Sequence, residues 1–169
     1  MDFAILDFIQ NLRCPVADRI FAFITHLGDA GLVWIALGII MLFFKKYRKC
    51  GVIVLLSLAL CAVLTSGVIK PLVGRLRPFQ IKGIVPAIAP PGGFSFPSGH
   101  TSSSFTAATA IFLCHKREGA AAYALAALIA FSRLYFYVHF PTDVLAGGML
   151  GIVCAVVINK IINRYLKKL

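Results

Sequence analysis

From Ala30 to Phe44, and again from Gly51 to Ile69, the chain carries no charged residue. A transmembrane helix needs about 20 predominantly apolar residues. In hydrocarbon every backbone polar group must be satisfied internally, so only helices and closed barrels cross. Further apolar runs at about 99–114, 119–137 and 143–163 repeat the pattern. Of 169 residues, 60% are hydrophobic and 14% charged, against about 25% charged in a soluble domain. This excludes an ordinary soluble domain, a disordered chain and a collagen-like fibre. It leaves no room for a second domain, so residues 1–169 are expected to form one unit. The predicted fold class is all-α, a polytopic membrane helix bundle with five spans and a short N-terminal sixth.

The N-terminal stretch is different. Phe3, Ile5, Leu6, Phe8, Ile9 and Leu12 recur at helical spacing among Asp2, Asp7 and Gln10. The segment is too short to span, so residues 1–13 are expected to lie in the interface as an amphipathic helix. Its acidic residues do not fit a cleavable signal peptide. Pro15 then breaks the chain. Gly28, Asp29 and Gly31 make a turn signal, which predicts a short hairpin over 16–44 rather than one long helix, because an intramembrane aspartate is costly. Five cysteines show no metal-clip or redox spacing and read as small hydrophobes.

The formal net charge is +11, from 17 basic and 6 acidic residues. On a soluble chain this would suggest nucleic acid. Here the basic residues flank apolar runs, so topology and anionic lipid explain them and no nucleic-acid partner is expected. Lys45, Lys46, Arg48 and Lys49 form one cluster, Lys116 and Arg117 a second, and Lys160, Arg164, Lys167 and Lys168 a third. Alternating spans put all three, with the C-terminus, on the cytoplasmic side. The opposite side receives the outer loop 70–98 and the link 138–142, and that side holds Lys70, Arg75, Arg77, Lys82 and Arg133. Cations on the wrong side call for another reason.

Three clusters lie at those outer ends: Lys70 followed by Arg77-Pro78; Pro97-Ser98-Gly99-His100; and Ser132-Arg133 followed by His139 and Asp143. Their order and spacing resemble the three-part signature of the type 2 phosphatidic acid phosphatase family, including its short bacterial members. Every signature position is filled. The resemblance implies a metal-independent hydrolase of a membrane lipid phosphate or diphosphate with no cofactor, and the charge bias puts its active site on the extracytoplasmic face of the cell membrane. It further implies that His139 forms a phosphohistidine and that His100 protonates the leaving oxygen, then activates water. Undecaprenyl diphosphate is the substrate expected first, with phosphatidylglycerophosphate, phosphatidic acid and lipid A phosphate as alternatives.

The residue types suit that chemistry. Phosphoryl transfer spreads charge over three equatorial oxygens, which preorganised cations and N–H donors stabilise. Lys70, Arg77 and Arg133 supply charge, and an arginine fork matches two phosphate oxygens. Ser98 and Gly99 precede a predicted helix whose N-terminal amides receive an anion. Asp143, four residues after His139, holds the imidazole in one tautomer. Blander readings stand beside these: arginines snorkelling at helix ends, Asp143 as a helix-dipole carboxylate, and Thr142 as an N-cap. Arg75 and Lys82 match no signature position and read as snorkelling. A zinc site from His100, His139 and Asp143 is opposed by the adjacent cations. The loop 79–96, rich in isoleucine, phenylalanine and proline, reads as resting on the membrane and admitting lipid sideways. The rival classes are a non-catalytic lipid or anion carrier, and a vanadate-binding haloperoxidase relative.

Overall fold

The computed structural model describes residues 2–166, so the predicted basic positions Lys167 and Lys168 lie outside the described residues. Those residues form helices and connections without a strand. In order they are α1 (Asp2–Gln10), α2 (Pro15–Leu27), a short 3-10 turn (Asp29–Gly31), α3 (Leu32–Phe43), α4 (Arg48–Ala62), a π-helical stretch (Val63–Ile69), α5 (Lys70–Val73), α6 (Pro78–Lys82), α7 (Gly99–Cys114), α8 (Lys116–Tyr135) and α9 (Pro141–Leu166).

Two helical stretches, Arg48–Lys82 and Pro141–Tyr165, are long and apolar enough to cross a membrane. The pair α2 and α3 forms a third candidate, bent by 42° at Asp29. This corrects the hairpin expected over 16–44. Ala30 and Gly31 adopt positive φ of 49° and 69°, which breaks the helix. The chain is deflected there and is not reversed. The 16 residues of α7 fall short of the usual span, and α8 carries Lys116, Arg117, Glu118 and Arg133 among its 20.

Helix α7 lies at the centre, packed against α4, α8 and α9. Its serines and threonines would be expensive in an apolar interior unless bonded. The hydroxyls of Ser102, Thr106 and Thr109 each donate to the carbonyl one turn back, at 2.8, 2.7 and 2.6 Å. The helix therefore satisfies its own polar groups and presents a narrow surface. Gly147 and Gly151 of α9 exploit this. A β-carbon on either would lie 2.7 Å from the Ser98 carbonyl oxygen or 2.5 Å from that of Ser102. Trp34 of α3 closes the other flank, its indole N–H donating to Ser104 Oγ at 3.0 Å. All five cysteines are free, and Cys50, Cys61 and Cys154 are buried.

The stretch from residue 70, expected as loop, is helical at Lys70–Val73 and Pro78–Lys82 and irregular over 83–98. Helix α1 buries Leu6 and Ile9 while Phe8 stays exposed, as does Leu12 just beyond it. Leu6 packs with Tyr137 and Phe140 of the link between α8 and α9.

Candidate active site

That link, from Phe136 to Phe140, is almost wholly buried. Tyr137 takes a positive φ of 62°, and the Val138 N–H donates back to the Arg133 carbonyl at 3.1 Å. The tight reversal inserts His139 between the ends of α8 and α9. Its Nε2 lies 3.0 Å from Arg77 Nη1. A guanidinium only donates, so Nε2 accepts and the ring proton is assigned to Nδ1. Nδ1 faces Asp143 Oδ2 at 3.5 Å and Ser95 Oγ at 3.4 Å. Burial holds His139 well below the ordinary imidazole range; Asp143 opposes this, while Arg77 and Arg133 reinforce it. The ring is neutral, with a lone pair on Nε2.

Asp143 is fully buried and bonded at both oxygens. Oδ2 accepts from Ser95 Oγ at 2.5 Å and from the Phe140 N–H at 2.9 Å. Oδ1 accepts from Arg75 Nη1 at 2.7 Å. This corrects the snorkelling assignment of Arg75. Lys82 also has a partner, pairing with Asp7 at 2.7 Å. Thr142 is not the N-cap expected, because α9 begins at Pro141 and Thr142 lies in its first turn. Its hydroxyl instead donates to Asp2 at 2.7 Å.

The predicted phosphate ligands surround the same place from two sides. Arg77 is 2% exposed. It donates to the carbonyls of Gly92, Gly93 and Val138 at 3.0–3.1 Å. Lys70 Nζ donates to the Phe94 carbonyl at 2.9 Å, which Arg77 Nη2 shares at 3.4 Å. Ser98 is the buried N-cap of α7, and its amide donates to the Asp143 carbonyl at 3.0 Å. The next amides, Gly99 and His100, head a helix and have no intrahelical acceptor; the side of Gly99 where a β-carbon would project is open space. Arg133 is buried, with Nη1 donating to Thr25 Oγ1. Its Nε is a buried donor with no partner, an arrangement that costs about 1–3 kcal/mol until an acceptor arrives.

His100 is not hydrogen-bonded to His139. Its Nε2 contacts Asp29 Oδ1 at 2.9 Å, and Asp29 Oδ2 contacts His26 Nδ1 at 2.8 Å. His100 lines a cavity of about 410 Å³, with Gly28, Ile35, Leu55, Leu58 and Gly99 among others. Among the described residues no three His, Cys, Asp or Glu side chains gather as a metal-ligand set. Sequence reasoning did not single out Ser95, Thr25 or Arg75 as site residues, and took Asp29 for a turn residue. The only available signal was proximity: Ser95 stands just before Pro97-Ser98, and Arg75 just before Arg77.

The profile of the PAP2 superfamily matches residues 51–167. An undecaprenyl-diphosphatase of Sulfolobus acidocaldarius is 36% identical over 121 residues, covering 70% of this chain and 58% of that protein's length. A lipid A 4'-phosphatase of Porphyromonas gingivalis is 29% identical over 168 residues, covering 90% of this chain and 69% of its own length. Among solved structures, a transmembrane PAP2-type phosphatidylglycerolphosphate phosphatase from Bacillus subtilis superposes with a TM-score of 0.79 at 29% identity, covering 96% of this chain and 85% of that one. LpxE of Aquifex aeolicus gives 0.76 at 31% identity, covering 94% of each.

Proposed function

Because the chain belongs to the PAP2 superfamily, we propose that it hydrolyses a membrane lipid phosphate or diphosphate through a phosphohistidine on His139. The arrangement of His139 carries the reading: Asp143 on one ring nitrogen, Arg77 on the other, and an unpartnered Arg133 Nε nearby in the fold. Phosphate seats against Arg77, Arg133, Lys70 and the Ser98–Gly99 end of α7. Arg77 Nη1 turns from Nε2 to a phosphate oxygen, Nε2 of His139 then attacks phosphorus as the bond to the leaving oxygen breaks, and His100 supplies the proton to that oxygen. Asp143 stabilises the positive charge that develops on the ring. Water then attacks phosphorus, gives a proton to His100 and returns inorganic phosphate and free His139. Asp29 orients His100 for both steps. No metal or cofactor enters.

The apolar cavity ending at His100 and Gly99 supports a substrate with a hydrocarbon tail. Undecaprenyl diphosphate, going to the monophosphate and phosphate, is the preferred substrate on the strength of the Sulfolobus relative's name. Phosphatidylglycerophosphate, phosphatidic acid and lipid A phosphate are the competitors. The chain crosses the cell membrane five times, by α2 and α3 as one bent span and by α4, α7, α8 and α9. The site faces outward, the C-terminus lies in the cytoplasm and α1 rests in the outer interface. A phosphate-release panel on purified protein in detergent, across these lipids, tests the reading. Release from a polyprenyl diphosphate ahead of the others supports it. Binding without release from any of them would mark a carrier and end the proposal.

A further inference from the structure

We infer that Arg75 is a positioning residue for the His139–Asp143 pair, and that Asp2 of the N-terminal helix acts on the pair through Arg75. The inference rests on His139 being the nucleophile. A carboxylate can orient an imidazole only if its own plane is fixed. Asp143 uses Oδ2 for His139, Ser95 and the Phe140 amide, and the donor on Oδ1 adds a restraint at the opposite oxygen, which fixes the plane from both sides. Arg75 Nη1 is that donor, at 2.7 Å. It also brings a cation to a side chain with no exposed surface.

Arg75 is itself tethered on several sides. Its guanidinium carbon lies 3.9 Å from the centroid of the Phe140 ring. Nη1 also donates to Thr142 Oγ1 at 2.7 Å, and Nη2 donates to Asp2 Oδ2 at 3.2 Å. The same Asp2 oxygen accepts from Thr142 at 2.7 Å. Helix α1 is thus joined to the site by a chain of contacts from Asp2 through Arg75 and Asp143 to His139. A second tie, Asp7 to Tyr137 Oη at 2.6 Å and to Lys82, keeps α1 seated when Asp2 is altered.

The charged groups facing His139 are Arg77, Arg133 and Asp143. Arg75 reaches His139 only through Asp143. Removing its charge leaves the full carboxylate charge acting on the imidazole and raises the proton affinity of His139. Attack needs the neutral ring, so the acid limb of kcat/KM moves to higher pH. Phosphate binding is untouched, because Arg75 is not among the groups placed around the phosphate.

The test uses full-length protein in detergent with a polyprenyl diphosphate, comparing wild type, R75Q, R75K, D2N and the D2N/R75Q double variant. A misplacement near 1 Å costs about 10²-fold, so R75Q should lose about 10–100-fold in kcat with KM within about twofold. Its acid limb should shift upward, and R75K, which keeps the charge without the planar fork, should restore the limb and part of kcat. D2N should lose about two- to fivefold alone and nothing further on top of R75Q, since contacts in one network are not additive. Melting in detergent checks the fold. If R75Q unfolds, the D2N loss and the R75K profile carry the measurement. Unchanged kcat and pH profile in R75Q, a loss confined to KM, or R75K as impaired as R75Q overturns the inference for Arg75. Fully additive D2N and R75Q losses overturn it for Asp2. A wild type that releases no phosphate refutes the proposed function instead, whereas failure here leaves wild-type turnover intact.

Discussion

Replacing Gly147 by alanine drives a wedge between the two halves of the site. A β-carbon there would lie 2.7 Å from the Ser98 carbonyl oxygen and 3.1 Å from Ser102 Oγ, where ordinary contact begins at 3.4 Å. Helices α7 and α9 must therefore part by about 0.7 Å, the difference between 3.4 and 2.7 Å. Neither wall yields easily. One is backbone, and Ser102 is tied to that same carbonyl at 2.8 Å. Overpacking of this kind costs about 1–3 kcal/mol. The displacement acts where the Ser98 amide donates to the Asp143 carbonyl at 3.0 Å, so it moves the α7 N-terminus and His100 relative to His139. With about 10²-fold per 1 Å of misplacement, G147A should lose roughly tenfold or more in kcat. Gly148→Ala is the matched control, because its β-carbon meets the Phe105 ring at 3.7 Å, ordinary contact. Phosphate release and thermal unfolding of the two variants in one detergent decide the matter. Wild-type turnover in G147A, or an equal loss in G148A, would refute the close-approach argument.

Other expectations follow from the same contacts. Because burial and the neighbouring arginines keep His139 neutral, the rate falls only as pH drops through its lowered pKa; the acid limb of kcat/KM should lie well below 6.5, and a limb at or above that value contradicts the assignment. Trp34→Phe removes the donor at 3.0 Å to buried Ser104, a loss of about 1–3 kcal/mol, which detergent unfolding should detect while turnover stays near wild type; unchanged stability counts against it. Activity should survive a strong chelator and fall with vanadate, whose trigonal-bipyramidal geometry imitates the transferring phosphoryl group. Loss in chelator that zinc or magnesium restores would rule out the mechanism.

What could be read from the sequence was the chemistry that stands out locally. Lys70, Arg77 and Arg133 were conspicuous as cations on the side where the positive-inside rule expects few. The apolar runs marked α3, α4 and α9. What escaped depends on distance along the chain. Arg75 looks like any arginine at a helix end until Asp143, 68 positions away, is seen beside it. Thr25 meets Arg133 across 108 positions. Gly28, Asp29 and Gly31 signalled a break. The angle of 42° is set by packing, however, since His100 holds Asp29 and a β-carbon at Gly28 would strike the His100 ring at 2.7 Å. The helical turns at 70–82 escaped as well. They are only 4 and 5 residues long, and Pro71 and Pro78 sit in their first turns, where proline is tolerated.

The central claim is that His139 carries the phosphoryl group, and rapid-quench trapping tests it most directly. Purified protein is mixed with a lipid diphosphate labelled in its terminal phosphate and quenched in base within the first turnover. Wild type should show a protein-bound label that survives base and is lost in acid, as a phosphoramidate is. His100→Ala should retain it and His139→Ala should show none. Label retained in His139→Ala would contradict the account and transfer the nucleophile's role to His100.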